Sequence, residues 1–131
     1  MANFESTGID ELMKELDLLD ADKIAPVMLE AAAPILEKAV IKKASTHKVS
    51  GDMLRSIKQT KPQKNQTGHY IVVRPTGKDA KGVRNMEKMA DLEYGVNGKQ
   101  AATPVMTPAT HEAEMEIEAK MQEVFNRETG R

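Results

Sequence analysis

The stretch Ser56-Ile-Lys-Gln-Thr-Lys-Pro-Gln-Lys-Asn-Gln-Thr-Gly-His-Tyr-Ile-Val-Val-Arg-Pro75 separates an all-helical chain from a mixed one. At its centre, Asn65-Gln66-Thr67-Gly68 is a turn signal: Asn bonds readily to backbone two residues on, and Gly tolerates positive φ. On either side, residues 56–61 and 69–74 are rich in β-branched and long side chains. Tyr70, Val72 and Arg74 alternate with Ile71 and Val73, the period of two that marks a strand with one wet face. The segment is therefore expected to form an antiparallel hairpin spanning about residues 56–74. Pro75-Thr76-Gly77 ends it, and residues 78–83 form a basic loop.

Outward from the hairpin the period changes to that of helices. Residues 8–19 place Ile9, Leu12, Met13, Leu16 and Leu19 at spacings of three and four, with acids between them, as on a short amphipathic helix. A second helix is predicted over residues 22–47, with Ile24, Val27, Met28, Ala31, Ile35, Leu36, Ala39 and Val40 facing inward. Pro34 removes a backbone donor and is expected to kink or split it. Ser50-Gly51-Asp52 interrupts the chain. Met53-Leu54-Arg55-Ser56-Ile57 fits either one more helical turn or the lead into a strand.

A short helix is predicted over residues 84–94, closed by Gly95 as a left-handed cap. The last helix is predicted to start at Thr107-Pro108, with Thr as N-cap and Pro at the first helical position. It buries Ala109, Ala113, Ile117, Met121, Val124 and Phe125. The expected fold class is α+β: N-terminal helices, a small antiparallel sheet and a long C-terminal helix. The expected organisation is one domain over residues 1–131, with 1–7 disordered, 8–47 helical, 50–75 the hairpin region, 76–106 a loop and short helix, and 107–127 the C-terminal helix.

At 131 residues, 40% hydrophobic and 3% aromatic, the chain can build one modest core from Leu, Ile, Val, Ala and nine Met. Met fills gaps but specifies them weakly, so a marginal monomer that gains from partners is expected. The chain has no cysteine, which excludes disulfides, thiolate metal sites and thiol nucleophiles. The first residues lack a basic region followed by an apolar run, so no signal peptide is expected, and no stretch has the roughly 20 apolar residues of a membrane span. Synthesis and retention in a cytoplasm until assembly follow as the expectation.

Charge is segregated along the chain. Residues 1–37 sum to −7, residues 38–88 to +10 and residues 89–131 to −4, while the whole carries −1. Such a chain can pair its ends with its own middle, bind a polyanion, or mate with copies of itself. Arg55, Lys58, Lys61, Arg74, Lys78, Lys81 and Arg84 form the candidate basic patch. DNA is a possible partner, but Tyr70 is the one aromatic in the region, which leaves almost nothing for bases to stack on. A protein-facing or solvated patch is favoured, and a nucleic-acid-binding accessory protein is the alternative.

Catalytic patterns fail on spacing, so no enzyme and no cofactor are expected. His111-Glu112 lacks the second His of a zinc-hydrolase helix, because position 115 is Met. His47 and His69 have no patterned carboxylate nearby. Gly77 and Gly82 have phosphate-loop spacing, but Val83-Arg84 stands where Lys and Ser/Thr are required, and the segment reads as a mobile surface loop. Glu112, Glu114, Glu116 and Glu118 alternate by two, which scatters them around a helix. Acids early in a helix are favoured by its dipole.

Ala90-Asp91-Leu92-Glu93-Tyr94-Gly95-Val96 is followed after a loop by Thr103-Pro104-Val105-Met106-Thr107-Pro108-Ala109 and an acidic helix. These stretches resemble the minor tail-component, or tail-completion and head–tail joining, proteins of long-tailed bacteriophages and prophages. There a hydrophobic-Glu-Tyr-Gly-Thr element precedes a loop and a Pro-Phe-Leu-Arg-Pro-Ala element. The chain has Val96 in place of the Thr, Val105 in place of the Phe and Thr107 in place of the Arg. Upstream, residues 50–57 resemble the family's Thr-Gly-x-Leu-Arg-x-Ser-Ile element.

The resemblance covers about residues 30–125. It implies a non-catalytic virion assembly protein acting at the head-proximal end of the tail, a ring of identical subunits, and contacts to connector or tail-tube proteins. Leu92, Tyr94, Gly95, Pro104, Val105, Met106 and Pro108 are the candidate interface residues. In physical terms, Gly95 permits a positive φ, the prolines stiffen the entry to the last helix, and Met106 offers an apolar plug.

Overall fold

The computed structural model describes Glu11, residues 21–47 and residues 49–130. The expected disordered tail of residues 1–7 and the helix over 8–19 lie almost wholly outside the described residues. Helix α1 runs Ala21–Ser45. It is followed by α2 at Gly51–Ser56, then β1 at Ile57–Gln59 and β2 at Gln63–Asn65. Next come β3 at Gly68–Tyr70, β4 at Val73–Pro75, α3 at Asn85–Tyr94 and α4 at Met106–Thr129. This is an α+β architecture, with two long helices carrying the small strands and a short helix.

Helices α1 and α4 pack along their lengths. Lys43 near the end of α1 reaches Glu112 near the start of α4 at 2.7 Å, so the two run antiparallel. On α4 the residues Ala109, Ala113, Ile117, Met121, Val124 and Phe125 are buried, as its period predicts. On α1 the fully buried positions are Ala25, Met28, Leu29, Ala32, Ala33, Leu36, Val40 and Ala44. The buried stripe is thus turned from the predicted one, and Ile24, Val27, Ala31, Ile35 and Ala39 are half-buried at its flank. α1 packs against both α4 and the strands, so its apolar arc is broader than one seam.

Pro34 does not split α1, which is helical from end to end. The proline is exposed, and so is Glu30, whose carbonyl loses its helical partner to the ring. Water can satisfy that carbonyl, so the cost falls where it is smallest.

Both readings left open for residues 53–57 are used. Ser50 caps α2, its hydroxyl accepting from the Met53 amide at 3.1 Å, and Ile57 starts β1. The hairpin exists, but as two ladders instead of two continuous strands. β1 pairs antiparallel with β4 (Ile57↔Pro75, Lys58↔Arg74, Gln59↔Val73), and β2 with β3 (Gln63↔Tyr70, Lys64↔His69, Asn65↔Gly68). Between the ladders three residues, 60–62, face two, 71–72, so the register slips by one. Pro62 has no amide to donate, and the Thr60 hydroxyl accepts from the Val72 amide at 3.1 Å. The result is a bulge. Beyond it Ile71, Val73 and Pro75 point inward while Arg74 is exposed.

The turn at 65–68 is held by Asn65, whose Oδ1 accepts from the Thr67 amide at 2.8 Å and the Gly68 amide at 3.2 Å. Its tip is tied to α1: Asp22 meets Lys64 at 2.7 Å and His69 at 3.0 Å. The Lys64 hydrogen bond and charge, with the His69 hydrogen bond, hold the Asp22 carboxyl below the usual aspartate value.

Candidate functional site

The connection between α3 and α4 is built around Glu93 and Gly95. The predicted N-cap, Thr107, lies inside α4. The capping position is Val105, whose side chain offers no acceptor. Glu93 supplies the cap from another helix: its Oε1 accepts from the Met106 amide at 2.7 Å and the Val105 amide at 3.1 Å, and its Oε2 from the Thr107 amide at 3.4 Å. Three first-turn donors thus meet one carboxylate, where the helix dipole also favours negative charge. Partial burial raises the Glu93 pKa, but these amides and the Thr107 hydroxyl outweigh it and hold the carboxyl below the usual glutamate value.

Gly95 has φ 76° and ψ 173°, an extended positive-φ conformation instead of the predicted left-handed helical cap. Its amide still closes α3 on the Asp91 carbonyl at 2.8 Å. The chain then folds back, with Val96 bridging to Gln100 and the Thr103 amide donating to the Leu92 carbonyl at 2.7 Å. Val105 and Met106 lie in the core, 0% and 3% exposed. They anchor the loop from beneath and are not accessible surface. Leu92, Gly95 and Pro108 are partly covered, Pro104 is exposed, and Tyr94 presents 75% of its surface.

All seven predicted basic residues are exposed. Arg55 is neutralised locally by Asp52. The β1–β4 register places Lys58 directly across from Arg74, and an isolated antiparallel bridge places Lys78 across from Arg84. None of these four, nor Lys61 or Lys81, makes an ion pair among the described residues.

The loop expected to be mobile is built. Asp79 Oδ1 accepts from the Lys81 amide at 2.8 Å and the Val83 amide at 2.9 Å, and its Oδ2 pairs with Lys88 at 3.0 Å. The Lys88 hydrogen bond, then the Val83 amide, hold the Asp79 carboxyl below the usual aspartate value. Asn85, 3% exposed, donates to the Thr76 carbonyl at 2.8 Å and fixes the loop's base. Replacing Asp79 with Ala is expected to raise amide exchange at Lys81 and Val83 roughly ten-fold while the α1–α4 pair stays protected. Unchanged exchange at those two amides would show that Asp79 does not hold the loop.

Sequence reasoning missed Glu93 and Asp79 as organisers. Asp79 sits in a Gly-Lys-Asp-Ala-Lys-Gly loop where an Asx turn is a visible option. Glu93 gave no local signal, because it caps a helix more than ten residues away.

The histidines stay apart: His69 pairs with Asp22, His111 lies 3.9 Å from Glu114, and His47 is half-buried elsewhere. Among the described residues no group of three His, Cys, Asp or Glu is placed to hold a metal. No described helix is long and apolar enough to cross a membrane.

No curated protein and no solved structure matches the chain. A protein-family profile, described as "Bacteriophage HK97-gp10, putative tail-component", matches residues 9–97. The match takes in α1 to α3 and the Leu92-Glu93-Tyr94-Gly95 stretch; the Pro104 to Ala109 element and α4 lie beyond it. With well over half its length matched, the chain belongs to the HK97-gp10-like family of bacteriophage tail components, structural proteins of the virion that work through protein–protein contacts within the tail.

Proposed function

We propose that this single-domain protein completes the tail at its head-proximal end, as a ring of identical subunits joining connector and tail-tube proteins, and that it performs no catalysis. It would assemble in the host cytoplasm and remain in the virion. The observation that carries this reading is the segregation of charge, −7, +10 and −4 along the chain, with cationic pairs on the surface that make no ion pair among the described residues. A heterologous contact between a basic face of one copy and an acidic face of the next generates a ring when the rotation closes. Tyr94 and Pro104, supported by the buried Val105 and Met106, are the accessible part of the proposed contact to a neighbouring tail protein.

Light scattering and electron microscopy at low and moderate salt, with and without the cognate connector and tail-tube proteins, test this. Rings or a stable joint complex are expected, weaker as salt rises. A strict monomer that binds neither partner would sink the proposal. The second reading, a nucleic-acid-binding accessory protein, draws on the same cations and predicts duplex binding that weakens steeply with salt. No shift of any strand by micromolar protein at low salt eliminates it.

A further inference from the structure

The β1–β4 ladder and the outer face of α3 share an unusual property: each holds like charges next to one another that make no ion pair among the described residues. Lys58 faces Arg74 across the ladder, and Lys78 faces Arg84 across the adjoining bridge. Like charges directly opposite in a strand pair are unfavourable. On α3, Glu87 and Asp91 are four residues apart, the spacing at which like charges repel on a helix. Both are exposed and neither makes an ion pair among the described residues. Tyr94 continues the same stripe three residues on, 75% exposed and fixed between the capping Glu93 and the constrained Gly95.

The carboxylates of α4 are less available. Glu112 is taken by Lys43, Glu123 by Lys120, Glu128 lies beside Arg127 and Glu114 beside His111, while Glu116 is exposed with Lys120 one turn on. Among the described residues, the α3 stripe is therefore where two exposed carboxylates without an ion pair stand one helical turn apart. It carries what a row of cations selects for: two unpaired carboxylates and an aromatic face on which a guanidinium can stack.

We propose that the Glu87-Asp91-Tyr94 stripe of one copy docks against the Lys58/Arg74 and Lys78/Arg84 rows of a second copy. This rests on the ring reading above and names its interface. The second copy is the occupant because it brings both surfaces at once, and each offsets the repulsion the other carries.

Charge reversal in the full-length protein tests it, with self-association measured by sedimentation and folding by thermal unfolding. Lys58→Glu/Arg74→Glu and Glu87→Lys/Asp91→Lys are each expected to weaken self-association by roughly ten-fold or more, since like charges brought together at an interface are strongly unfavourable. The fourfold variant combining them restores it. Arg74→Glu alone gives Lys58 an opposite charge across the ladder, so its melting temperature is expected to hold or rise while association falls. A merely structural role for Arg74 would not separate the two readouts.

Assembly of the reversed variants as tight as that of the unaltered protein overturns this interface while leaving the ring intact. Failure of the fourfold variant to recover shows that the two faces do not meet. Loss of duplex DNA binding with self-association unchanged assigns the cations to nucleic acid. Monomer under all conditions, with and without tail partners, removes the ring and the interface together.

Discussion

Gly95→Ala is expected to destabilise the protein by about 3–5 kcal/mol, from backbone strain of about 1–3 kcal/mol and a comparable cost of overpacking. The backbone at φ 76°, ψ 173° belongs to a region open essentially to glycine alone. A Cβ built there would also lie 2.9 Å from the Ala102 amide nitrogen and 2.9 Å from the Gln100 carbonyl oxygen. Both are backbone atoms of the returning loop, and neither can swing aside as a side chain would. Relief requires the loop to move, and with it the Thr103 to Leu92 hydrogen bond at 2.7 Å. In a domain of this size the melting temperature is expected to fall by roughly 10–20 °C. Gly98→Ala is the control: it has φ 73° but nothing within 4 Å of a built Cβ, so it carries backbone strain without the clash and a smaller loss. Equal melting temperatures for the two variants would refute the role of close approach.

What was legible in the sequence follows how local each interaction is. Helix α4 was legible because Ala109, Ala113, Ile117, Met121 and Phe125 repeat at helical spacing regardless of their partner. The turn at Asn65–Gly68 was legible because Asn65 bonds to amides two and three residues on. The two-ladder form of the hairpin was not, because it depends on the Thr60 hydroxyl standing in for a backbone acceptor toward Val72, across twelve residues. The orientation of α1 was read with an offset, since two partners at different angles share its apolar arc.

The candidate site divides the same way. The seven cations are a candidate basic patch in the sequence, and each is individually exposed. Their pairing, Lys58 with Arg74 and Lys78 with Arg84, is a property of register and bridge geometry that composition does not contain. Met106 is read from the sequence as an apolar plug and Val105 as an interface residue; apolar residues at the entry to a helix pack inward as readily as they dock outward, and here both pack inward. Tyr94 goes the other way, exposed although aromatic. Large exposed aromatics are in general the residues that anchor protein contacts. The covalent neighbours that hold it, Glu93 and Gly95, thus connect the stability of the loop to the surface it presents.

Glu93→Ala is expected to cost about 2–3 kcal/mol, combining loss of a cap with buried amides left without an acceptor. The effect is large for a partly exposed side chain because one carboxylate serves the Val105, Met106 and Thr107 amides together, and Val105 and Met106 are themselves core residues. Val105, at the capping position, offers no side-chain acceptor of its own. Glu93→Gln keeps an acceptor but not the charge, and is expected to lose roughly half as much. The two variants also separate by pH. The folded carboxyl titrates below its ordinary value of 4.5, so its contribution is fully present above 4.5 and is lost as pH falls through the lower folded value. The gap in melting temperature between the unaltered protein and Glu93→Gln is therefore expected to be constant near neutrality and to close below 4.5, as the protonated carboxyl comes to resemble the amide. Asp22, Asp79 and Glu112 are also held below their ordinary values, so acid weakens every Glu93 variant as well. The difference between the two proteins isolates Glu93 from that background. A gap that stays constant down to the acid transition would mean that the charge on Glu93 contributes nothing beyond the acceptor oxygens it presents to the α4 amides.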